Sequence, residues 1–416
     1  MTEIALEQPL ASPPREAERE PRRGLVVALV TAAMFIDAVF FAVIAPLLPH
    51  YSETLGLSHL EVALLFAAHP AGTLLCAPFA AALVRRGSAR MTMTLGLVGL
   101  GIGSIVFGFA DSLALLAGCR FVQGASAAMV WCAGLARLQN AAPPERRGAV
   151  LGLAGSAAGA GSLLGPAFAA LSAVASIEAV LLVLGLLTLV LCAALRSAGD
   201  LPDERCRDSS GIGRQSSTSQ GEGGSIGAGR RASAAAITVI VVCGTVFGAV
   251  ATLAPLRLAD LGAGVTAIAA AFALSAVGEM FAAPLAGHYS DRVGRLRPIR
   301  LCLLIAVPLL ALQALTGSPW ILGAAVALVG AIIASLWPLG TAFLGDESVR
   351  RGGSPAGVFA VSVVAWSAGL AGGSLLCGAL AEGAGTDLAY VALIVACGLA
   401  LLTLAPVSAP RAPSPE

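Results

Sequence analysis

Twelve stretches of roughly twenty apolar residues follow one another along the chain, parted by short polar breaks. Each is long enough to cross a hydrocarbon core of ~30 Å as a helix. The pattern places them at 24–49, 59–83, 91–110, 112–138, 147–173, 177–195, 235–257, 266–288, 299–316, 319–344, 355–381 and 387–405. Breaks such as Ala110–Asp111–Ser112 and Gly317–Ser318–Pro319 are as short as antiparallel helix neighbours allow. The widest polar gap, 196–234, is rich in Ser, Gly and Arg and reads as a flexible linker. It divides the chain into a polar tail (1–23), a six-helix bundle (24–195), the linker, a second six-helix bundle (235–405) and a second tail (406–416). The first tail is too polar for a signal peptide, and the apolar run behind it is too long for one.

Composition agrees with this reading. Of 416 residues, 57% are apolar, 12% are charged and 49 are Gly. A soluble domain carries about twice that share of charge, so a soluble enzyme is excluded. Net charge is +1, with no electrostatic footprint for nucleic acid. All 25 basic residues are Arg, which removes any chemistry that needs Lys, including an ATP-binding P-loop. Most of the nine Cys fall inside apolar runs without metal-ligand spacing and read as packing residues. No cofactor or metal is implied.

The Arg positions set an orientation. With the N-terminus in the cytoplasm, 23 of the 25 Arg lie on the inner side. Arg257 falls at an outer end and Arg120 within a span. The positive-inside rule thus supports twelve spans, with both termini cytoplasmic.

The halves also repeat. Gly72 through Pro78 matches Gly278 through Pro284, and Gly161–Ser162–Leu163–Leu164 matches Gly373–Ser374–Leu375–Leu376. Duplicated bundles of this kind form transporters with a site between the halves near mid-membrane.

After the eighth span the chain reads Gly287–His–Tyr–Ser–Asp291–Arg292–Val–Gly294–Arg295. This resembles the G-x-x-x-D-R-x-G-R loop of the major facilitator superfamily. The resemblance implies an all-α membrane fold of twelve helices in two pseudo-symmetric six-helix bundles, and a loop that latches the cytoplasmic side. Asp291 is placed to accept from Arg292 or Arg295, with Gly287 and Gly294 allowing close helix approach and a tight turn. The first-half copy, Arg85–Arg86–Gly87–Ser88, has Arg where the family has Asp, so the second loop is left to carry the latch.

Helix 4 contains Arg120–Phe–Val–Gln123–Gly124, which is similar to a motif of proton-coupled members. Helix 5 contains Gly152, Gly155, Gly159, Gly161 and Gly165–Pro166, similar to the Gly-rich motif of the antiporter branch. Its closing pair is Ala169–Ala170 rather than Gly–Gly. Helix 1 carries Asp37 followed by Pro46–Leu–Leu–Pro49, which is similar to drug:proton antiporters and to vesicular monoamine transporters in particular.

Charges inside a bilayer cost at least ~2.5–3.5 kcal/mol each, so they are functional candidates. Asp37 and Arg120 reach matching depths from opposite sides, and the resemblance implies that helices 1 and 4 both line the cavity of the first half, so the two are expected to interact. Asp37 then either binds a cation and a proton in competition or locks two helices as a static pair. Glu279 lies near mid-membrane where the repeat puts Thr73. It reads as a second proton site, a substrate carboxylate or a protonated bundle residue. His69 beside Pro70 reads as a packed polar group, with a proton relay as the alternative. Asp346 and Glu347 read as a solvated cluster with Arg350 and Arg351. Trp131, Trp337 and Trp366 fall within spans and read as core more readily than as cavity lining.

The combined expectation is a monomeric secondary transporter of the plasma (inner) membrane, exporting a small drug-like or amine-like compound in exchange for protons. An importing symporter or uniporter would share the fold. A non-transporting receptor or scaffold would need neither Asp37, Arg120 and Glu279 at depth nor lack a soluble appendage.

Overall fold

The computed structural model describes residues 19–86, 88–141, 147–197, 223–350 and 355–406. Among them twelve helices are long and apolar enough to span a bilayer. The first six are α1 (Arg19–Leu55), α2 (His59–Arg86), α3 (Ala89–Gly108), α4 (Leu113–Ala141), α5 (Arg147–Leu171) and α6 (Ile177–Ser197). The second six are α7 (Gly223–Asp260), α8 (Val265–Val293), α9 (Leu296–Leu315), α10 (Pro319–Val349), α11 (Pro355–Ala384) and α12 (Thr386–Leu404). Helix is the form that satisfies every backbone group within its own segment, as a lipid-immersed chain requires.

The helix count matches the hydropathy pattern, but several helices run past the apolar stretch. α1 begins at Arg19, inside the expected tail, and α7 begins at Gly223, inside the expected linker. Hydropathy marks where the bilayer ends, whereas a helix can continue into water. The rest of the linker and of both tails lies outside the described residues.

The halves are built alike. In the first, α1 lies along α5, α2 along α4, and α3 between α4 and α6; in the second, α7 lies along α11, α8 along α10, and α9 between α10 and α12. The repeat is legible in single contacts. A Cβ on Gly72 would strike the Phe121 and Ala125 backbone of α4, and one on Gly278 would come within 2.6 Å of Ala331 in α10, near Ala327. Each of these three pairs of positions is 206 residues apart. Gly161 likewise abuts Phe35 and Ala38 of α1, while Gly373 abuts Thr245 of α7.

The bundles meet along α2 with α11 and α5 with α8, with α1 and α7 at the centre. The contact is concentrated on the Arg-poor side. There Glu382 of α11 accepts the Leu60 backbone N–H of α2 at 2.9 Å, and Gly378 lies against His59, Leu60 and Ala63. Toward the Arg-rich side the bundles part. Beyond Gly72, α2 buries only Ala80, and beyond Ala276, α8 buries only Ser290. A Cβ on Gly152, Gly155, Gly159 or Gly287 would meet nothing within 4 Å. Gly287, expected to allow close helix approach, does not do so in this conformation.

Candidate functional site

A cavity lies between the bundles, lined from α1, α2, α5, α7, α8 and α10. Its wall is mostly apolar and aromatic: Phe41 and Phe66 from the first bundle, Phe247 and Phe272 from the second, with Pro166 of α5 and several small aliphatic side chains. Its polar lining consists of Ser162, Ser275 and Glu279, so Glu279 is the one ionisable lining residue among those described. The Ser275 hydroxyl donates to Glu279 Oε1 at 3.3 Å, four residues on along α8. Gly330 of α10 makes this possible. A side chain there would collide with Ser275 Oγ, and its Cβ would lie 3.6 Å from Glu279 Oε1.

Asp37 and Arg120 sit behind this wall, inside the first bundle. Both are buried, and neither lines the cavity. The expected interaction between them is electrostatic, without a hydrogen bond or salt bridge. Trp131 Nε1 of α4 donates to Asp37 Oδ2 at 2.8 Å, leaving Asp37 Oδ1 without a partner. Arg120 instead reaches α1 one turn further on, donating from Nη1 to the Phe40 carbonyl at 3.1 Å and to Gln123 Oε1 at 2.9 Å. Gln123 Nε2 donates in turn to Ser104 Oγ of α3 at 3.1 Å. The Arg–Gln motif of α4 therefore ties α1, α3 and α4 together. Boundary errors in a depth estimate amount to about one helical turn, ~5.4 Å, which is enough to separate two groups at nominally equal depth.

Gly124 completes that motif sterically. A Cβ would run into the His69 backbone, so only Gly lets α4 approach α2 here. Thr73 Oγ1 uses the approach to donate to the Gly124 carbonyl at 3.0 Å. His69 is buried as expected, its ring 5.4 Å from that of Phe41. On α5, Gly161 and Gly165 face α1 on either side of Asp37, against Phe35, Ala38, Ala42 and Val43.

The loop after α8 forms a charge cluster. Arg295 donates from Nη1 to Asp291 Oδ1 at 2.6 Å and to Ser290 Oγ at 3.2 Å, and from Nε to Asp346 Oδ2 of α10 at 2.8 Å. The Asp346 bond, with Asp291 adding to it, pushes the Arg295 guanidinium above its ordinary pKa. Asp346 is thus solvated as expected, but its partner is the loop's Arg295. Glu347 is buried and pairs with Arg350 at 2.6 Å. Gly294 supplies the turn with φ +85°, a conformation that favours glycine. Arg292 is exposed and lies outside these pairs. The cluster joins α8 to α10 within the second bundle and, among the described residues, does not bridge the two bundles.

Several participants escape a reading of the sequence. Trp131 reads there as core, because nothing in its spacing marks an indole bound to a carboxylate on another helix. Arg257 reads only as an outer-end residue. It bonds the Ala314 carbonyl at 2.5 Å, pairs with Asp387 at 3.2 Å and lies over the Tyr390 ring, joining α7, α9 and α12. Gly330 carries a signal that could find it, since it lies 206 positions after Gly124, the spacing that relates Gly72 to Gly278.

The sequence model of the Major Facilitator Superfamily matches residues 30–256 and 235–416. Over 176 residues the chain is 28% identical to the MFS-type transporter ppzB of Metarhizium rileyi, covering 39% of this chain and 36% of that protein. Over 163 residues it is 28% identical to a probable vesicular acetylcholine transporter-B of Danio rerio, covering 37% and 33%. The matched stretches span about a third of these relatives. Among solved structures, a bacterial homologue of the human lysosomal transporter Spinster superposes with a TM-score of 0.67 at 16% identity, covering 92% of this chain and 96% of that one. A point mutant of the nucleoside transporter NupG gives 0.69 at 12% identity, covering 91% and 98%.

Proposed function

As the chain belongs to the Major Facilitator Superfamily, and is a multi-pass membrane transporter rather than an enzyme, we propose that it exchanges protons for a small, lipophilic, amine-like cation by alternating access. The observation that carries this reading is Glu279, the one ionisable side chain among the described residues that line a largely apolar wall between the bundles. An uncompensated charge in such a place is costly. The Glu279 carboxylate is therefore relieved either by an organic cation or by a proton. Binding one expels the other, and exchange follows by linkage. A neutral or anionic cargo would leave the carboxylate without a use.

The buried Asp37–Trp131 contact supports the same reading from behind the wall. α1 carries Asp37 and the cavity residues Phe41 and Ala42 within two turns. A change at the Asp37 carboxylate is thus mechanically connected to the lining. The α5 glycines that hold α1 in place are those of the antiporter-like motif. With the Arg-rich face in the cytoplasm, the cavity opens inward and the Glu382–Leu60 contact closes the outer side. This is the arrangement in which an exporter collects cargo. Plasma-membrane placement, cytoplasmic termini and a monomeric carrier belong to the same proposal.

The test is uptake of a labelled lipophilic amine into proteoliposomes with an imposed pH gradient. Accumulation should follow the gradient, collapse with a protonophore and be lost in Glu279→Gln. Uptake that ignores the gradient rules out proton coupling.

A further inference from the structure

Four phenylalanines of the cavity wall obey the internal repeat. Phe41 and Phe247 lie 206 positions apart, as do Phe66 and Phe272. The rings of Phe41 and Phe247 stack across the boundary between the bundles, with centroids 6.4 Å apart and planes inclined by 24°. Phe66 stands 6.0 Å from Phe41, and Trp366 backs Phe247 at 5.4 Å. Each bundle thus gives the wall the same two rings at equivalent places. The symmetry fails at one point. Thr73 of α2 has Glu279 as its counterpart on α8. Among the described lining residues, the wall is a repeat-related set of aromatic rings with one carboxyl group, carried by the second bundle.

We infer that this quartet, with Glu279, forms an aromatic box for a tertiary or quaternary ammonium whose alkyl groups contact the phenyl faces while the carboxylate balances the charge. The inference rests on the proposed use of the cavity as the transport site and narrows its cargo. Phenyl faces carry negative quadrupole charge and attract a carbon-substituted ammonium within about 6 Å of the ring centre. Phenylalanine has no polar handle, so the rings reward charge and apolar bulk together. The remaining hydroxyls of the wall are few, and Ser275 is already engaged with Glu279. A sugar or nucleoside would bury several hydroxyls without partners, at a substantial cost for each. An anion would face Glu279 directly.

The experiment compares benzyltrimethylammonium with neopentylbenzene, its uncharged carbon isostere, by equilibrium dialysis against the full chain in lipid nanodiscs. Affinities are referred to free aqueous concentration, and empty nanodiscs are subtracted. Because the two probes share a shape, the ratio of their affinities cancels packing changes in a variant. The cation should bind about tenfold or more tighter than the isostere, as stacked cation–π and carboxylate contacts imply. Phe247→Leu and Phe41→Leu should each shrink that ratio at least about threefold, while Phe247→Tyr keeps it. Glu279→Gln should shrink it further. Equal affinities, a ratio unmoved by both Leu variants, or no binding of either probe overturns the box. Charge-blind binding combined with gradient-driven amine uptake would defeat the box alone. A charge-selective site in a protein whose uptake ignores the gradient would defeat proton coupling alone.

Discussion

Glu382 at the end of α11 accepts the backbone N–H of Leu60 in the first turn of α2, so a carboxylate of one bundle caps a helix of the other. The first N–H groups of a helix have no partner of their own and carry partial positive charge. This contact has to break when the Arg-poor face opens. Glu382→Ala should therefore shift the carrier toward states open on that face. Spin labels at Leu57 and Gly383 would report it as a distance distribution moved to longer values, with Glu382→Gln giving a smaller shift. An unchanged distribution in Glu382→Ala would mean that the contact is incidental.

Trp131→Phe removes the donor to Asp37 and keeps the aromatic bulk. A buried acceptor stripped of its partner costs ~1–3 kcal/mol, and more when charged. The variant should unfold at lower temperature in detergent, and Asp37→Asn in the same background should recover part of the loss. If Trp131→Phe melts like the wild type, the indole bond contributes nothing.

Two glycines of α4 give an internal comparison. A Cβ at Gly124 collides with the His69 backbone, and one at Gly118 meets nothing within 4 Å. Gly124→Ala should be destabilising by ~1–3 kcal/mol through overpacking. Gly118→Ala should be neutral or stabilising by up to ~1 kcal/mol through helix propensity. Thermal unfolding of both variants decides the matter, and equal melting temperatures would show that the α2–α4 approach is looser than described.

The Arg295 cluster is partly exposed, with Arg295 28% and Asp346 49% accessible. Each pair is worth ~1 kcal/mol or less after solvent screening. Because Arg295 is held above its ordinary pKa, its contribution is present below the unfolded value and is lost only at still higher pH. On the Arg295 side the cluster is thus constant across the physiological range, and salt rather than pH should weaken it. Arg295→Ala should lower the melting temperature at low ionic strength and narrow its difference from the wild type at about 1 M salt. A difference independent of salt would point to packing instead.

The fold is legible in the sequence because apolar length and Arg placement are one-dimensional signals, and a bilayer converts them directly into spans. The repeat is legible at Gly72 and Gly278 because a glycine at a helix crossing has few substitutes. The site is legible only in part. Glu279 stands out because a mid-membrane carboxylate is costly wherever it faces. Asp37 stands out for the same reason, but cost does not reveal which way a side chain points, and it turns toward Trp131 rather than the cavity. The Arg120 contact with Phe40 involves a backbone carbonyl, a partner that no side-chain pattern announces. The phenylalanine quartet is hidden in plain composition, since each ring alone is an ordinary core residue and only the shared offset sets the four apart.

The central claim is that one carboxylate serves proton and cation in turn. Its most direct measurement is proton release on cation binding, followed with a pH-sensitive dye in weakly buffered, detergent-solubilised protein titrated with benzyltrimethylammonium. At a pH where the unliganded carboxyl is protonated, the wild type should release up to about one proton per bound cation, fading as pH rises. Glu279→Gln should release none at any pH. Cation binding without proton release at every pH, or release that persists in Glu279→Gln, would contradict the account.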